Sequence, residues 1–450
     1  MPYVPHTPED IRRMLEVIGA PSVEALFAEI GPEMRPKSFD LPEGKSEMDV
    51  LAHMEGLAAR NAVGQVSFLG AGFYDHHIPA AVDALSMRSE FYTAYTPYQP
   101  EASQGTLQAI FEYQTAVTRL TGLTYANASV YDGGSALFEG AMMAVRHTGR
   151  RKLVVCEALN PIYRVMLSSY TSNLNLELKV IPHQHGNCDL AALTAALDED
   201  TAAVLVQNPN FFGTLNDFTT LFAAAKAKGI VSVISVYPVL QAVLKSPGEM
   251  GADVAVAEGQ SLGLPLSFGG PYLGIMTCNK EMIRQMPGRM VGRTVDGQGR
   301  TGYVLTLQAR EQHIRRQKAT SNICSNQALC ALRSLMHLCL LGQEGLTRTA
   351  ETCIERAHYA AERLTAIPGV KLLSGGAPFG NEFAIELPVS AYQAIDKLTA
   401  RGYVPGFPLG RYYQGLENAL LVACTEKTSK EHIGILAEML RGILSERRLA

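Results

Sequence analysis

The sequence has no tryptophan, and only 18% of its 450 residues are charged. Thirty-nine Lys and Arg stand against 43 Asp and Glu, a net charge of −4. That balance argues against nucleic acid or an anionic membrane as the main partner. No run of about 18 apolar residues occurs, so no membrane span is expected. The opening MPYVPHTPED has no basic segment followed by an apolar stretch and is not an Arg/Ser-rich amphipathic leader. The eight cysteines form no CxxC pair and no zinc-like spacing with histidine. They read as reduced core thiols of a cytoplasmic protein.

What is present is apolar bulk. Hydrophobic residues make up 47% of the chain, enough for a large core, and the length suits two or three domains. Thr7-Pro8-Glu9-Asp10 is a helix start: an N-cap Thr, Pro at the first helical position, then acids. Further helices are expected over Ser22–Ile30 and Ser46–Ala59, giving a helical arm over residues 1–62. Between 63 and 320 short apolar strands alternate with helices. The strands fall at Lys152–Cys156, Leu176–Ile181, Ala202–Gln207, Ile230–Val236 and Asp253–Ala257. The helices fall at Gly133–Arg146, Asn160–Ser172, Leu190–Leu197 and Phe218–Lys228. This pattern predicts an α/β domain with a mostly parallel sheet covered on both faces. Leu176–Ile181 alternates polar and apolar residues and should lie near an edge. Residues 321–450 read as a long interdomain helix from Ser325 to Leu341, another over Leu346–Ile367, and a small α+β domain. Its strands are expected at Val370–Leu373, Asn381–Leu387 and Leu420–Ala423.

Five stretches carry chemistry. His76-His77 follows Gly70 and Gly72, but adjacent residues on an extended chain point to opposite faces, so no metal site is expected. Tyr95-Thr-Pro-Tyr98-Gln99-Pro-Glu101 is a stiff loop with phenols and amides at its rim, followed by a helix from Ser103. Tyr131-Asp-Gly-Gly-Ser-Ala136 opens a helix and offers free N–H groups to an anion such as a phosphate. Glu258–Pro271 is a Gly-rich hairpin at a strand end, where a parallel sheet holds its ligands. Residues 246–279 contain no lysine, and no GxSxG elbow is present. Last, Arg310–Cys324 is rich in cations. Its Thr320-Ser321-Asn322 loop is expected to cap the long helix and suits a phosphate.

Together these segments resemble the P-protein of the glycine cleavage system, as its N-terminal half or as subunit 1 of the split form. The resemblance is carried by YTPYQPEASQGTL, LTGLTYANASVYDGG, QSLGLPLSFGGPYLG, MPGRMVG and REQHIRRQKATSNIC. It implies the fold of a type I pyridoxal-phosphate (PLP) transferase. It also implies a glycine dehydrogenase of the decarboxylating, aminomethyl-transferring kind. In that family, subunit 2 carries the PLP lysine, the assembly is α2β2, and lipoylated H-protein accepts the aminomethyl group. In this chain the lysine region reads Gln260-Ser261-Leu262, and strand Ile230–Tyr237 has no acid for the pyridinium nitrogen. No covalent catalytic residue is therefore expected here. The resemblance implies that Thr320, with Ser321, meets the phosphate of PLP held by subunit 2. Tyr95, Tyr98, Gln99, Glu101, His76 and His77 are candidates to line the entrance for glycine and the lipoyl arm. The competing reading is a catalytically inert structural or regulatory partner of the PLP-bearing subunit.

Overall fold

The computed structural model describes residues 6–38 and 40–446. The chain divides into two compact units, one ending at Val63 and one beginning at Gly64.

In the first unit, helix α1 (Pro8–Ile18) begins with a capping box. The Thr7 hydroxyl accepts from the Asp10 N–H, and the Asp10 carboxylate accepts from the Thr7 N–H. Helix α2 (Glu47–Ala58) is capped by Ser46. The helix expected over Ser22–Ile30 contracts to a single 3-10 turn, Glu24–Phe27, before Gly31-Pro32. Neither α1 nor α2 buries a residue.

The second unit is built on a seven-stranded sheet. Its strands are β1 (Tyr125–Ala126), β2 (Lys152–Cys156), β3 (Glu177–Ile181), β4 (Thr201–Asn208), β5 (Val231–Val236), β6 (Val254–Glu258) and β7 (Gly274–Cys278). They lie in the order β1-β7-β6-β5-β4-β2-β3, and β3 holds the expected edge. The β2, β3, β4, β5 and β6 pairings are parallel, while β7 runs antiparallel to β6 and β1. Successive strand residues face opposite cores. Val154, Val204, Ile234 and Ala255 enter one cluster; Leu153, Ala203, Val233 and Val254 enter the other. Burial on both faces is why these strands read as unbroken apolar runs.

Helices α3 (Gln104–Thr121), α4 (Gly133–Thr148), α5 (Pro161–Thr171), α6 (Leu190–Ala195) and α7 (Thr219–Ala227) accompany the sheet. Helix α4 packs across β5, β6 and β7. A hairpin, Met290–Val295 with Thr301–Thr306, follows β7.

The long helix α8 (Ala328–Thr365) is bent at Gly342, where φ is 60° and ψ −171°. Gly342 is not helical, so the two helices expected there are present and meet at this kink. Its start corrects an expectation. Thr320-Ser321-Asn322 does not cap it, because the helix begins only at Ala328. The N-cap residue, Gln327, makes no side-chain cap, and its own N–H donates to the Ser129 hydroxyl at 3.1 Å.

The C-terminal part holds a four-stranded antiparallel sheet of β8 (Lys371–Leu372), β9 (Glu382–Glu386), β10 (Phe407–Pro408) and β11 (Ala419–Ala423), in the order β8-β9-β11-β10. Helices α9 (Ala391–Thr399) and α10 (Lys430–Glu446) complete it. Val66–Ser67 pairs with Tyr403–Val404, and Phe68 packs into this C-terminal core. Six cysteines are buried, and Cys324 and Cys339 are exposed. Among the described residues no helix is long and apolar enough to cross a membrane.

Candidate functional site

The parallel strands end at a place where sheet enzymes hold their ligands, and here that place is filled. Glu258, the last residue of β6, is buried. Its Oε2 accepts the Gly133 N–H at 2.9 Å, at the first turn of α4. Its Oε1 accepts from the Gln260 N–H at 3.0 Å and the Leu273 N–H at 3.1 Å. Burial pushes this carboxyl up to about 7, although the three N–H bonds pull the other way. Glycine is required at 133. A Cβ there would meet Tyr163 Oη at 2.5 Å and Glu258 Cβ at 2.9 Å.

Gln260 then ties the hairpin to residue 74. Its Oε1 accepts the Tyr74 N–H at 2.9 Å, and its Nε2 donates to the Tyr74 carbonyl at 3.0 Å. The Tyr74 phenol donates to Glu382 at 2.9 Å. Glu382 also accepts the Ala71 N–H at 2.6 Å, and burial raises its carboxyl to about 7. The space left between Tyr74, Asn160, Gln207, Tyr237, Glu258 and Glu382 is about 30 Å³. That is room for about two waters, an order of magnitude below the smallest ordinary ligand pocket of roughly 300 Å³. No lysine lines it, and β5 contributes serines rather than an acid. These residues do not fit PLP.

The candidate residues fall into two groups. His76 is buried, with Nδ1 2.7 Å from Glu426 and Nε2 against the Tyr237 phenol. The exposed His77 gives only its backbone N–H to Glu426. Cys353 lies close enough to His76 and Glu426 for the three to share a cation. No hydrogen bond, ion pair or ring contact joins either histidine to the Tyr95 loop among the described residues.

That loop instead faces the segment after residue 320. Tyr95, Thr96 and Pro97 wall a cavity of about 300 Å³ opposite Ser325, Asn326 and Gln327. Tyr95 is 83% exposed, and Gln99 and Glu101 are exposed too. Arg289 joins the two walls: Nη2 donates to the Tyr98 phenol at 3.1 Å and Nη1 to Asn326 Oδ1 at 3.4 Å. The guanidinium also lies over the Tyr98 ring, which meets His313 edge-on. Arg289 is buried and makes no ion pair among the described residues. Ser321 donates its hydroxyl proton to the buried Glu139 at 2.5 Å and accepts the Ile323 N–H. The Thr320 hydroxyl has no partner among the described residues.

The comparisons with known proteins agree on one family. The family model for the glycine cleavage system P-protein matches residues 1–440. The chain belongs to the glycine cleavage system P-protein family. It is similar to proteins named probable glycine dehydrogenase (decarboxylating) subunit 1. The one from Maridesulfovibrio salexigens is 71% identical, covering 99% of this chain and all of the relative. The one from Geotalea daltonii is 55% identical over the same shares. A crystal structure of glycine decarboxylase, the P-protein of the glycine cleavage system, in inhibitor-bound form superposes with a TM-score of 0.91. It is 45% identical and covers 99% of this chain and 100% of that one. A glutamate decarboxylase from Lactobacillus brevis, 13% identical with a TM-score of 0.69, shares the fold alone. The architecture is the PLP fold type I that the P-protein resemblance implied.

Three residues of these sites carried no functional expectation. Glu258 and Arg289 stand inside quoted stretches, and Glu382 is the second residue of a predicted strand. The available signal for Glu258 was an acid closing an otherwise apolar strand, a position that demands buried partners.

Proposed function

We propose that this chain is subunit 1 of the glycine decarboxylase of the glycine cleavage system, active only with subunit 2. The assembled enzyme decarboxylates glycine, releases CO2 and passes the aminomethyl group to the lipoyl arm of H-protein. PLP is bound covalently by subunit 2, not by this chain, and when bound it supplies the electron sink for decarboxylation. The assembly is an α2β2 heterotetramer working in the cytoplasm.

One observation carries this reading. The space at the strand ends is only about 30 Å³ and no lysine lines it, in a chain of which relatives named subunit 1 match 99%. This chain's own contribution then lies on its surface. Thr320 has a free hydroxyl at the edge of a cation-rich segment and meets the phosphate of the partner's PLP, with Ser321 shaping the turn behind it. Tyr95, Tyr98, Gln99 and Glu101 line the approach for glycine and the lipoyl arm. The bare helix α2 is consistent with a covering partner: Met48, Leu51, Met54 and Leu57 are all exposed.

Reconstitution tests the proposal. With glycine, PLP and lipoylated H-protein, this chain alone should release no CO2, and adding subunit 2 should start the reaction. CO2 release by the chain alone would refute it.

A further inference from the structure

The end of β6 and the start of α4 form a cup for an oxyanion. Helix α4 is 16 residues long, and its first-turn N–H groups and dipole favour negative charge. Three N–H groups from three separate places converge there: Gly133 on α4, Gln260 after β6, and Leu273 before β7. What they hold is the carboxylate of Glu258, 7% exposed and without a Lys or Arg partner among the described residues. The groups facing it are Asp132, Tyr113, Tyr163, Tyr272 and Cys330, none of them cationic. A buried carboxylate held by amides alone is held as a binding site holds a ligand anion, and it sits where the sheet's topology would put that ligand.

We propose that Glu258 is a resident surrogate ligand, whose carboxylate fills an oxyanion cup and thereby closes this chain's own pocket to phosphate-bearing cofactors. The cup keeps its donors, so removing the side chain opens a site for phosphate or a small carboxylate. This inference stands on the geometry of one chain and does not depend on the identity of any partner.

The test uses the full chain with Glu258→Ala and Glu258→Gln. Inorganic phosphate, PLP and acetate are titrated separately, with binding read by phosphorus NMR and thermal shift. Glu258→Ala should bind phosphate at least ten-fold more tightly than the natural chain. Acetate should also raise its melting temperature. Glu258→Gln keeps the cup filled and should bind neither. Phosphate binding no tighter in Glu258→Ala than in the natural chain would reduce Glu258 to an ordinary turn brace and overturn the proposal. Should Glu258→Ala not fold, hydrogen exchange on the natural chain decides. The amides of Gly133, Gln260 and Leu273 should exchange as slowly as core strands and ignore millimolar phosphate. Fast exchange that phosphate slows would mean an open cup and would also overturn it.

Discussion

Arg289 holds the phenol of Tyr98 at 3.1 Å and, through its other terminal nitrogen, reaches Asn326. One buried guanidinium thus joins the loop at 95–101 to the segment leading into α8. Replacing it with methionine removes both hydrogen bonds while keeping most of the bulk. In the assembled enzyme, Arg289→Met should lower turnover about ten-fold, the scale of one lost charge-assisted bond. Hydrogen exchange should speed up in 95–101 and 322–327 together. Faster exchange in only one segment would contradict the strut.

Thr320 and Ser321 should separate cleanly. Thr320→Ala should weaken PLP binding to the assembled enzyme by ten-fold or more, and Thr320→Ser should restore it. Ser321 has already given its proton to Glu139, whose second oxygen has no partner. Ser321→Ala should therefore cost about 1–3 kcal/mol of stability in urea, with little change in PLP affinity. If Thr320→Ala changed neither PLP affinity nor turnover, the reading of this chain as an inert structural partner would gain.

Glu258 and Glu382 make stability depend on pH. Both carboxyls sit at about 7 in the folded chain, against 4.5 for free glutamate. Between those values the folded chain binds protons that the unfolded chain has released. Stability is therefore fullest below about pH 4.5 on this account and falls as pH rises through 7. At about 1.4 kcal/mol per pH unit, each carboxyl is worth of order 3 kcal/mol across the window. Urea unfolding at pH 5 and pH 8 should show the loss, and Glu258→Gln or Glu382→Gln should each remove part of it. A pH response unchanged in both variants would contradict the assignment.

The sheet was legible because its strands are buried on both faces, so Leu153 to Cys156 or Ala202 to Val206 could be read without a partner. Helix starts were legible where a side chain caps its own helix, as Thr7 and Ser46 do. The start of α8 was misread because its N-cap, Gln327, makes no side-chain cap and the Gln327 N–H is held by Ser129, 198 residues away. The hairpin at 290–306 went unseen because its strands are mostly only half-buried and carry glycines and an arginine, so no run of apolar residues marks them. At the site, the absence of lysine from residues 246–279 is plain in the sequence. What replaced the ligand is not, because Glu258 meets Gly133 only after β6 and α4 have packed.

On the proposed function, this chain brings no cofactor lysine to the enzyme. Borohydride reduction of the assembled, PLP-loaded enzyme fixes any lysine-bound cofactor, and peptide mass spectrometry then locates it. One modified lysine is expected in subunit 2 and none in this chain. A PLP-modified lysine anywhere in this chain, at a stoichiometry near one, would contradict it.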